Sequence, residues 1–270
     1  MVTPVTMIES ASDRLEASEA VLDVSGVSVR FSGVSALRDV TLTVGNGQVV
    51  SLIGPNGAGK TTLFNVIAGE QRHDSGTVRL LGEDTSRMTP QQRSHRGIVR
   101  TFQRMELFEG LTVEENLIVA RELAGRLRLA REFLVRDRIS DGELVDVAEV
   151  LEELGLNRVA NRLVGELPTG LRRMVELGRT LMVPCHLVLL DEPTSGLDPD
   201  ERALMKGIIR GIANVARRRS VLLVEHDMGV ALELADHAYV LDFGEIIADG
   251  TAGEVRADPR VQAAYLGMGL

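Results

Sequence analysis

Short apolar segments, each closed by glycine or by polar residues, recur along the chain and predict β-strands. The segment at 49–53 reads VVSLI and ends abruptly at glycine, which indicates a buried strand. Strands are predicted by the same pattern at 21–29, 42–44, 49–53, 77–81, 98–102, 186–190, 221–224, 238–241 and 245–248.

A helical pattern replaces the strand pattern between 98–102 and 186–190. Thr112 and Glu115 have the spacing of a capping box, and apolar residues recur at helical spacing from Leu144 until Gly155 ends that helix. A mostly helical insertion is therefore expected over about 105–182. Arginine dominates the charges at 121–138, which fits either a solvated helix face or a surface for an acidic partner or lipid headgroups.

Further helices are predicted nearer the C-terminus. Asp198 and Pro199 are an N-cap and first-turn pair for a helix that is expected to continue through Arg219, where three arginines would complement the helix dipole. A terminal helix is predicted near 255–266, and the polar, acidic residues 1–20 are expected to form a flexible arm.

The strand at 49–53 is followed by a glycine-rich loop and then by a helix. The loop reads GPNGAGKT, the G-x-x-x-x-G-K-[ST] spacing of phosphate-binding loops. Its backbone N–H groups can converge on an anion, Lys60 can reach the outer phosphates, and Thr61 can offer its hydroxyl to Mg²⁺. The predicted nucleotide contacts are Gly54, Pro55, Asn56, Gly57, Ala58, Gly59, Lys60, Thr61 and Thr62. The sequence therefore predicts binding of a nucleoside triphosphate.

Polar side chains follow three other predicted strands, at the sheet edge where α/β proteins hold ligands. Asp191 and Glu192 suit a Mg²⁺ ligand and a group that polarises the attacking water, although acids at this place can simply cap the next helix. His226 is expected to contact phosphate, with a structural role as the alternative. Gln103 fits a contact to metal or water and equally a solvated loop.

Composition and net charge restrict the classes of function that these motifs can serve. The chain of 270 residues is 44% apolar and carries a net charge of −9, which argues against a general nucleic-acid-binding surface. Aromatic residues make up only 3%, so Phe31 stands out as a stacking surface for a base, unless it is a core aromatic. The single cysteine, Cys185, is expected to be buried. With no secretory signal and no apolar run of about 18 residues, a soluble intracellular protein is expected.

The order of these motifs resembles that of ATP-binding subunits of ABC transporters, over about 21–270. The phosphate loop, Gln103, the helical insertion, LPTGL at 167–171, LVLLDEPTSGLD at 187–198 and His226 follow one another as in that family. The resemblance implies an α/β fold, with a RecA-like P-loop NTPase core of mixed, mainly parallel sheet, an antiparallel β part and an inserted α-helical subdomain. It implies an ATPase domain at 21–250, with its core at about 21–104 and 183–250 and its helical subdomain at about 105–182, then a C-terminal helical tail at 251–270.

The family's functional residues can be carried over to matching positions. The resemblance implies an aromatic A-loop at Phe31, Walker A at 54–61, a Q-loop at Gln103, Walker B ending at Asp191, a catalytic Glu192, a D-loop at 195–198 and an H-loop at His226. ATP and Mg²⁺ are the implied cofactors, with Thr61, Gln103 and Asp191 near the metal. Two copies are expected to close head to tail, so that ATP also meets Thr169 and Gly170 of the other copy.

The signature departs from the family's Leu-Ser-Gly-Gly-Gln and reads Leu-Pro-Thr-Gly-Leu. Pro168 removes a hydroxyl and a backbone N–H, so Thr169 is expected to reach the phosphate or to cap a helix that starts near Leu171. This departure, the segment at 100–120 and the ending VQAAYLG are similar to ATPase subunits of branched-chain amino acid importers.

The expected function is therefore that of an ATP-hydrolysing importer subunit at the cytoplasmic face of the plasma membrane. A homodimer or paralogous heterodimer would act with two permease subunits and, indirectly, with an extracytoplasmic solute-binding protein. Urea or short-chain amide importers share much of the pattern and remain an alternative. ABC ATPases of the translation-factor or repair type usually carry two cassettes or a long coiled coil, and a kinase would have no reason to carry the 167–171 and 195–198 motifs.

Overall fold

The computed structural model describes residues 20–101, 107–134, 145–213 and 219–266, without the side chains of 125–134 and 266. Predictions for residues 1–19 and for Gln103 lie outside the described residues, and so do the side chains of 125–138 in the arginine-rich stretch. Within them the chain forms two sheets with helices packed on them. The predicted α/β fold class is confirmed.

The first sheet is antiparallel, with β1 (Ala20–Phe31), β2 (Val34–Gly45), β4 (Ser75–Leu80) and β5 (Glu83–Asp84) in the order β2-β1-β4-β5. The β1–β2 turn passes through Ser32 and Gly33, both at positive φ. This sheet is the antiparallel part that the resemblance implies.

The second sheet is mixed and mainly parallel. It contains β3 (Val49–Ile53), β6 (Ile98–Arg100), β7 (Leu187–Asp191), β8 (Ser220–Val224), β9 (His237–Asp242) and β10 (Glu245–Gly250), in the order β10-β9-β3-β8-β7-β6. All neighbours are parallel except β9 and β10. Because β3, β8 and β7 are adjacent and parallel, the residues that follow them meet at one edge.

The helices fill the connections between strands. They are α1 (Lys60–Ala68), α2 (Pro90–His95), α3 (Val113–Leu134), α4 (Val147–Glu153), α5 (Thr169–Leu181), α6 (Pro199–Ile212), α7 (Met228–Leu234), α8 (Ala252–Ala257) and α9 (Pro259–Leu266). The predicted cap of α3 is present, since the Glu115 backbone donates to Thr112 Oγ1 and the Thr112 backbone donates to Glu115 Oε2. Among the described helices, none combines the length and the apolar composition that crossing a membrane requires.

The central strand β3 shows how the core is divided, because successive side chains of a strand point to opposite faces. Val50 and Leu52 pack with β1, β2 and α1 between the two sheets. Val49 joins the core beneath α3 to α6, and Ile53 joins the core beneath α7 to α9. Both faces of the mainly parallel sheet are covered, so its strands are apolar at nearly every position.

Several predicted boundaries are wrong, each for a local reason. The stretch before Arg96 contains α2, a polar helix that begins with a capping box between Thr89 and Gln92. The strand predicted at 98–102 ends at Arg100. The predicted terminal helix is divided into α8 and α9 at Asp258, because Pro259 begins a new helix.

The predicted position of Arg219 at the end of a helix is also wrong. The helix α6 ends at Ile212, so Arg219 cannot complement its dipole. Arg219 instead precedes β8 and is buried, with Nη1 3.5 Å from Glu153 Oε2. A buried arginine requires such a partner, because an unpaired charge in the core is costly. Cys185 is buried as predicted, and burial raises the pKa of its thiol to about 11.

Candidate nucleotide site

The glycine-rich loop between β3 and α1 is pressed against two neighbouring strands. Gly54 and Gly59 have φ of 152° and 108°, in the region that favours glycine. A Cβ atom at Gly54 would lie 2.0 Å from the carbonyl oxygen of Leu241, and one at Gly59 would lie 2.6 Å from that of Ala36. Side chains at these two positions would force the loop away from β9 and β2, so glycine is required there.

Lys60 is the first residue of α1, and its side chain turns back over the loop. Its buried Nζ donates to the Gly54 carbonyl at 2.5 Å and to the Pro55 carbonyl at 2.9 Å. Burial lowers the pKa of the Lys60 ammonium, while the nearby charge of Glu192 acts in the opposite direction. The first turn of α1 contains no acidic residue, so nothing on the helix competes with an anion at its N-terminus.

Glu192 and His226 come together because of the register between β7 and β8. Asp191 is paired with Val224, and the Glu192 backbone donates to the Val224 carbonyl at 2.9 Å. The side chains then meet, with His226 Nε2 2.6 Å from Glu192 Oε1. Glu192 has φ of 49°, an uncommon conformation for a residue with a side chain and one that clusters at functional sites.

The edge also holds Asp191 and a buried carboxylate that the sequence reasoning missed. Asp191 Oδ2 accepts from Nη2 of Arg100 at 3.0 Å. Glu225 precedes His226, and its Oε1 accepts from the backbone N–H and the hydroxyl of Thr194, both at 2.8 Å. Burial raises the pKa of Glu225, the Thr194 bonds oppose this shift, and the charges of Glu192 and Asp227 add to it. Glu225 therefore connects the loop after Glu192 to the end of β8, close to His226.

Two family models match the chain. The model described as ABC transporter matches residues 37–195, and the model described as branched-chain amino acid ATP-binding cassette transporter matches residues 245–267. The chain belongs to the ABC transporter family. It is an ABC ATPase, as the order of motifs predicts.

Relatives and solved structures agree with this family. The high-affinity branched-chain amino acid transport ATP-binding protein BraF of Pseudomonas aeruginosa is 39% identical over 258 residues, covering 93% of this chain and 99% of the relative. LivG of Escherichia coli strain K12, of the same description, is 37% identical over 253 residues, with the same two coverages. The crystal structure of an ABC transporter ATP-binding cassette in its ADP conformation gives a TM-score of 0.78 at 33% identity, covering 92% of this chain and 99% of that one.

Of the two remaining predicted site residues, Phe31 is described by the structure and Gln103 is not. Phe31 ends β1 with 46% of its surface exposed, so the alternative of a core aromatic is wrong and a face remains available for stacking. Its contact with a base stays a prediction. Gln103 lies outside the described residues.

The signature residues begin helix α5, but not as the sequence suggests. Pro168 is the N-cap and Thr169 is already the first helical residue, so Thr169 does not cap a helix near Leu171. Gly170 is buried against α6, where an added Cβ would lie 2.3 Å from Glu201 Oε1. Glu201 also accepts from the Asp198 backbone in the cap of α6. The start of α5 is thus packed tightly against the cap of α6, which begins at the last residue of the predicted D-loop.

The C-terminal segment reaches the phosphate loop, which the sequence reasoning did not anticipate. Tyr265 of α9 packs on the core beneath α7 to α9, with its hydroxyl close to the backbone of Gly54. Burial raises the pKa of Tyr265 to about 12, and the Gly54 backbone opposes the shift. The matched segment at 245–267 therefore places Tyr265 beside the loop.

Proposed function

We propose that this chain is the ATP-hydrolysing subunit of an importer that takes up branched-chain or other small amino acids. The observation that carries the proposal is the match of its C-terminal segment to the branched-chain amino acid cassette model. The names of BraF and LivG, which align over nearly their whole length, support the same solute class. Solute selection itself would lie in partner chains.

The positions of the side chains support the catalytic roles that we propose. Glu192 would act as the general base toward the attacking water, and His226, 2.6 Å away, would orient that carboxylate and contact the γ-phosphate. Residues 54–62 would hold the phosphates through backbone N–H groups and Lys60. Phe31 would stack on the base, and Gln103 would sense the nucleotide at the metal.

A magnesium ion fits the residues present. Among the described residues no group of three or more His, Cys, Asp or Glu could hold a metal by itself. Mg²⁺ in nucleotide sites needs only one or two carboxylates beside phosphates and water. Asp191 supplies such a carboxylate, and Thr61, exposed in the first turn of α1, supplies a hydroxyl. When bound, Mg²⁺ would neutralise charge on the phosphates.

The partners we propose are a second ATPase subunit, two membrane permease subunits and, indirectly, an extracytoplasmic solute-binding protein. Thr169 and Gly170 begin α5, and they would complete the ATP site of the second subunit through the N-terminus of that helix. The chain would lie peripherally at the cytoplasmic face of the plasma membrane and would not bind nucleic acid. The boundaries at 20, 105, 182 and 250 are proposed as its domain organisation.

Transport by the purified complex tests this function. The tagged chain is isolated with its membrane partners and reconstituted in proteoliposomes, and uptake of labelled leucine and labelled urea is measured with and without ATP. ATP-dependent leucine uptake that disappears with Glu192→Gln is expected. Urea uptake alone would favour the urea or amide importer alternative. Isolation with ribosomes or DNA and no permease would favour a non-transport ABC ATPase.

A further inference from the structure

Arg100 lies where β6, β7 and α1 meet, and its guanidinium joins all three. Nη1 donates to Asn65 Oδ1 at 2.8 Å and to Glu70 Oε2 at 2.7 Å, while Nη2 donates to Asp191 Oδ2 at 3.0 Å. The guanidinium carbon also lies 5.2 Å from the centroid of the Phe64 ring, a cation–π contact. The Arg100 side chain is therefore fixed from several directions at once.

The burial of this cluster distinguishes it from the surface ion pairs of the chain. The side chains of Arg100 and Asp191 are 11% and 7% exposed. In the surface pair of Arg96 and Glu83 these values are 34% and 44%. Water screens a surface pair and leaves it little energy, whereas a nearly buried carboxylate takes its orientation from its hydrogen-bond partners.

The hydrogen bond to Asn65 connects Arg100 to the face of α1 that also carries Thr61. Thr61 and Asn65 are four residues apart on the same helix and share a face. Arg100 binds Asn65 with one nitrogen and Asp191 with the other. It therefore connects the helix that carries the Thr61 hydroxyl to the carboxylate at the end of β7, which are the two described oxygen groups that we propose for Mg²⁺.

We propose that Arg100 is a positioning residue that holds the Asp191 carboxylate in place for the magnesium of bound ATP. The inference rests on the magnesium site of the proposed function. It assigns to Arg100 a task that needs a planar fork with several donors, because a single ammonium cannot bond to α1 and to Asp191 in these directions. The positive charge alone would not be sufficient.

The substitution Arg100→Lys separates geometry from charge, since it keeps the charge and removes the fork. A fluorescent ATP analogue is titrated into the full chain at increasing Mg²⁺, and separately in EDTA. Loss of a partner that orients a metal ligand typically weakens metal affinity 10- to 100-fold, so the Mg²⁺ concentration for half-maximal enhancement should rise about tenfold. Nucleotide affinity in EDTA should stay unchanged. Arg96→Lys, the same exchange in the surface pair, should shift neither quantity.

An unshifted Mg²⁺ midpoint in Arg100→Lys overturns the inference, even if the melting temperature falls. A purely structural role would lower the stability without changing the Mg²⁺ dependence of nucleotide binding. If Arg100→Lys does not fold, Asn65→Ala decides, since it keeps Arg100 and removes its hydrogen bond to α1. A rise of the Mg²⁺ midpoint supports the inference, and no rise overturns it. If the wild-type chain binds the analogue without any effect of Mg²⁺, the proposed magnesium site fails and the inference fails with it.

Discussion

At the scale of the residue, Glu225 provides a test that depends on pH. Its carboxylate is buried, and burial raises its pKa above the ordinary value of 4.5. A raised folded-state pKa means that the ionised form is disfavoured by folding, so this part of the stability is complete below the ordinary pKa and is lost as pH rises through the raised one.

The substitution Glu225→Gln removes the titration but keeps an oxygen that can accept from Thr194. We expect the free energy of unfolding of the variant, relative to wild type, to increase as pH rises from about 4.5 toward neutral. Urea unfolding of both proteins across this range measures the difference. Glu245→Gln on the exposed β10 controls for the loss of one charge. A difference that does not change with pH, or that falls, would contradict the prediction.

Phe31 provides a second test at this scale, because it exposes a face at the end of β1. We expect Phe31→Ala to weaken ATP binding by about 1–3 kcal/mol, the usual contribution of one stacked base, while GTP binding falls by a similar amount. Phe108→Ala is a matched control, since Phe31 and Phe108 are each 46% exposed. Nucleotide titration of both variants measures the effect. Unchanged affinity in Phe31→Ala would remove this residue from the site.

Some residues of the candidate site could be predicted from the sequence, and others could not. Asp191, Glu192 and His226 were predictable because each lies at the end of an apolar strand or within two residues of it, and parallel strands bring such positions to one edge. Arg100 and Glu225 were missed because their partners are remote in sequence. Asp191 is 91 residues from Arg100, and Thr194 is 31 residues from Glu225. Those contacts depend on strand order and register, which local patterns do not encode.

At the scale of the element, the contact between α5 and α6 changes how a signature substitution must be interpreted. A side chain at Gly170 would displace Glu201, which the cap of α6 holds at the Asp198 backbone. We expect Gly170→Ala to cost about 1 kcal/mol of stability, near the value of a lost cap. In a Glu201→Ala background the same substitution should cost clearly less, because the side chain that it displaces is absent.

The carboxylate of Gly170→Asp would face Glu201 in its own chain as well as the γ-phosphate of a partner's ATP. Loss of hydrolysis in that variant alone would therefore not establish a composite site. The double variant Gly170→Asp/Glu201→Ala, compared with Glu201→Ala alone, removes the local repulsion. We expect hydrolysis to remain absent while nucleotide binding by the monomer is retained. Restored hydrolysis in a phosphate-release assay would show that the local clash was the whole effect.

Elements differed in how well the sequence predicted them. Strands with uninterrupted apolar runs, such as β7 and β8, were located to within a residue. The polar helix α2 has only Arg93 buried, so it carried no apolar periodicity and could be recognised only by its capping box. The start of α5 was misjudged because proline fixes its own backbone as an N-cap and lets the helix begin at Thr169.

At the scale of the whole molecule, the fold class was predictable and the strand order was not. Alternating strands and helices around a phosphate loop predict a parallel sheet, but the placement of β3 between β8 and β9 joins segments about 170 to 190 residues apart. The same order brings Gly54, Glu192 and His226 to one edge and leaves Thr169 and Gly170 on a separate helix. Motif order identified the family, and a second subunit is the proposed way to unite these two groups of residues.

A nucleotide-dependent dimer is the prediction that tests whether two chains together form the ATP site. Glu192→Gln should keep the phosphate loop and its ATP contacts but lose the general base, which typically lowers the rate 10²- to 10⁴-fold. ATP should then persist between two chains, and gel filtration with Mg²⁺ and ATP should show a dimer that wild type forms only transiently. Lys60→Ala added to Glu192→Gln should remain monomeric, because the phosphate contact that recruits ATP is lost. Near-normal hydrolysis by Glu192→Gln would exclude this residue as the base. If Glu192→Gln does not hydrolyse ATP and still stays monomeric at saturating ATP, the two-chain site is excluded.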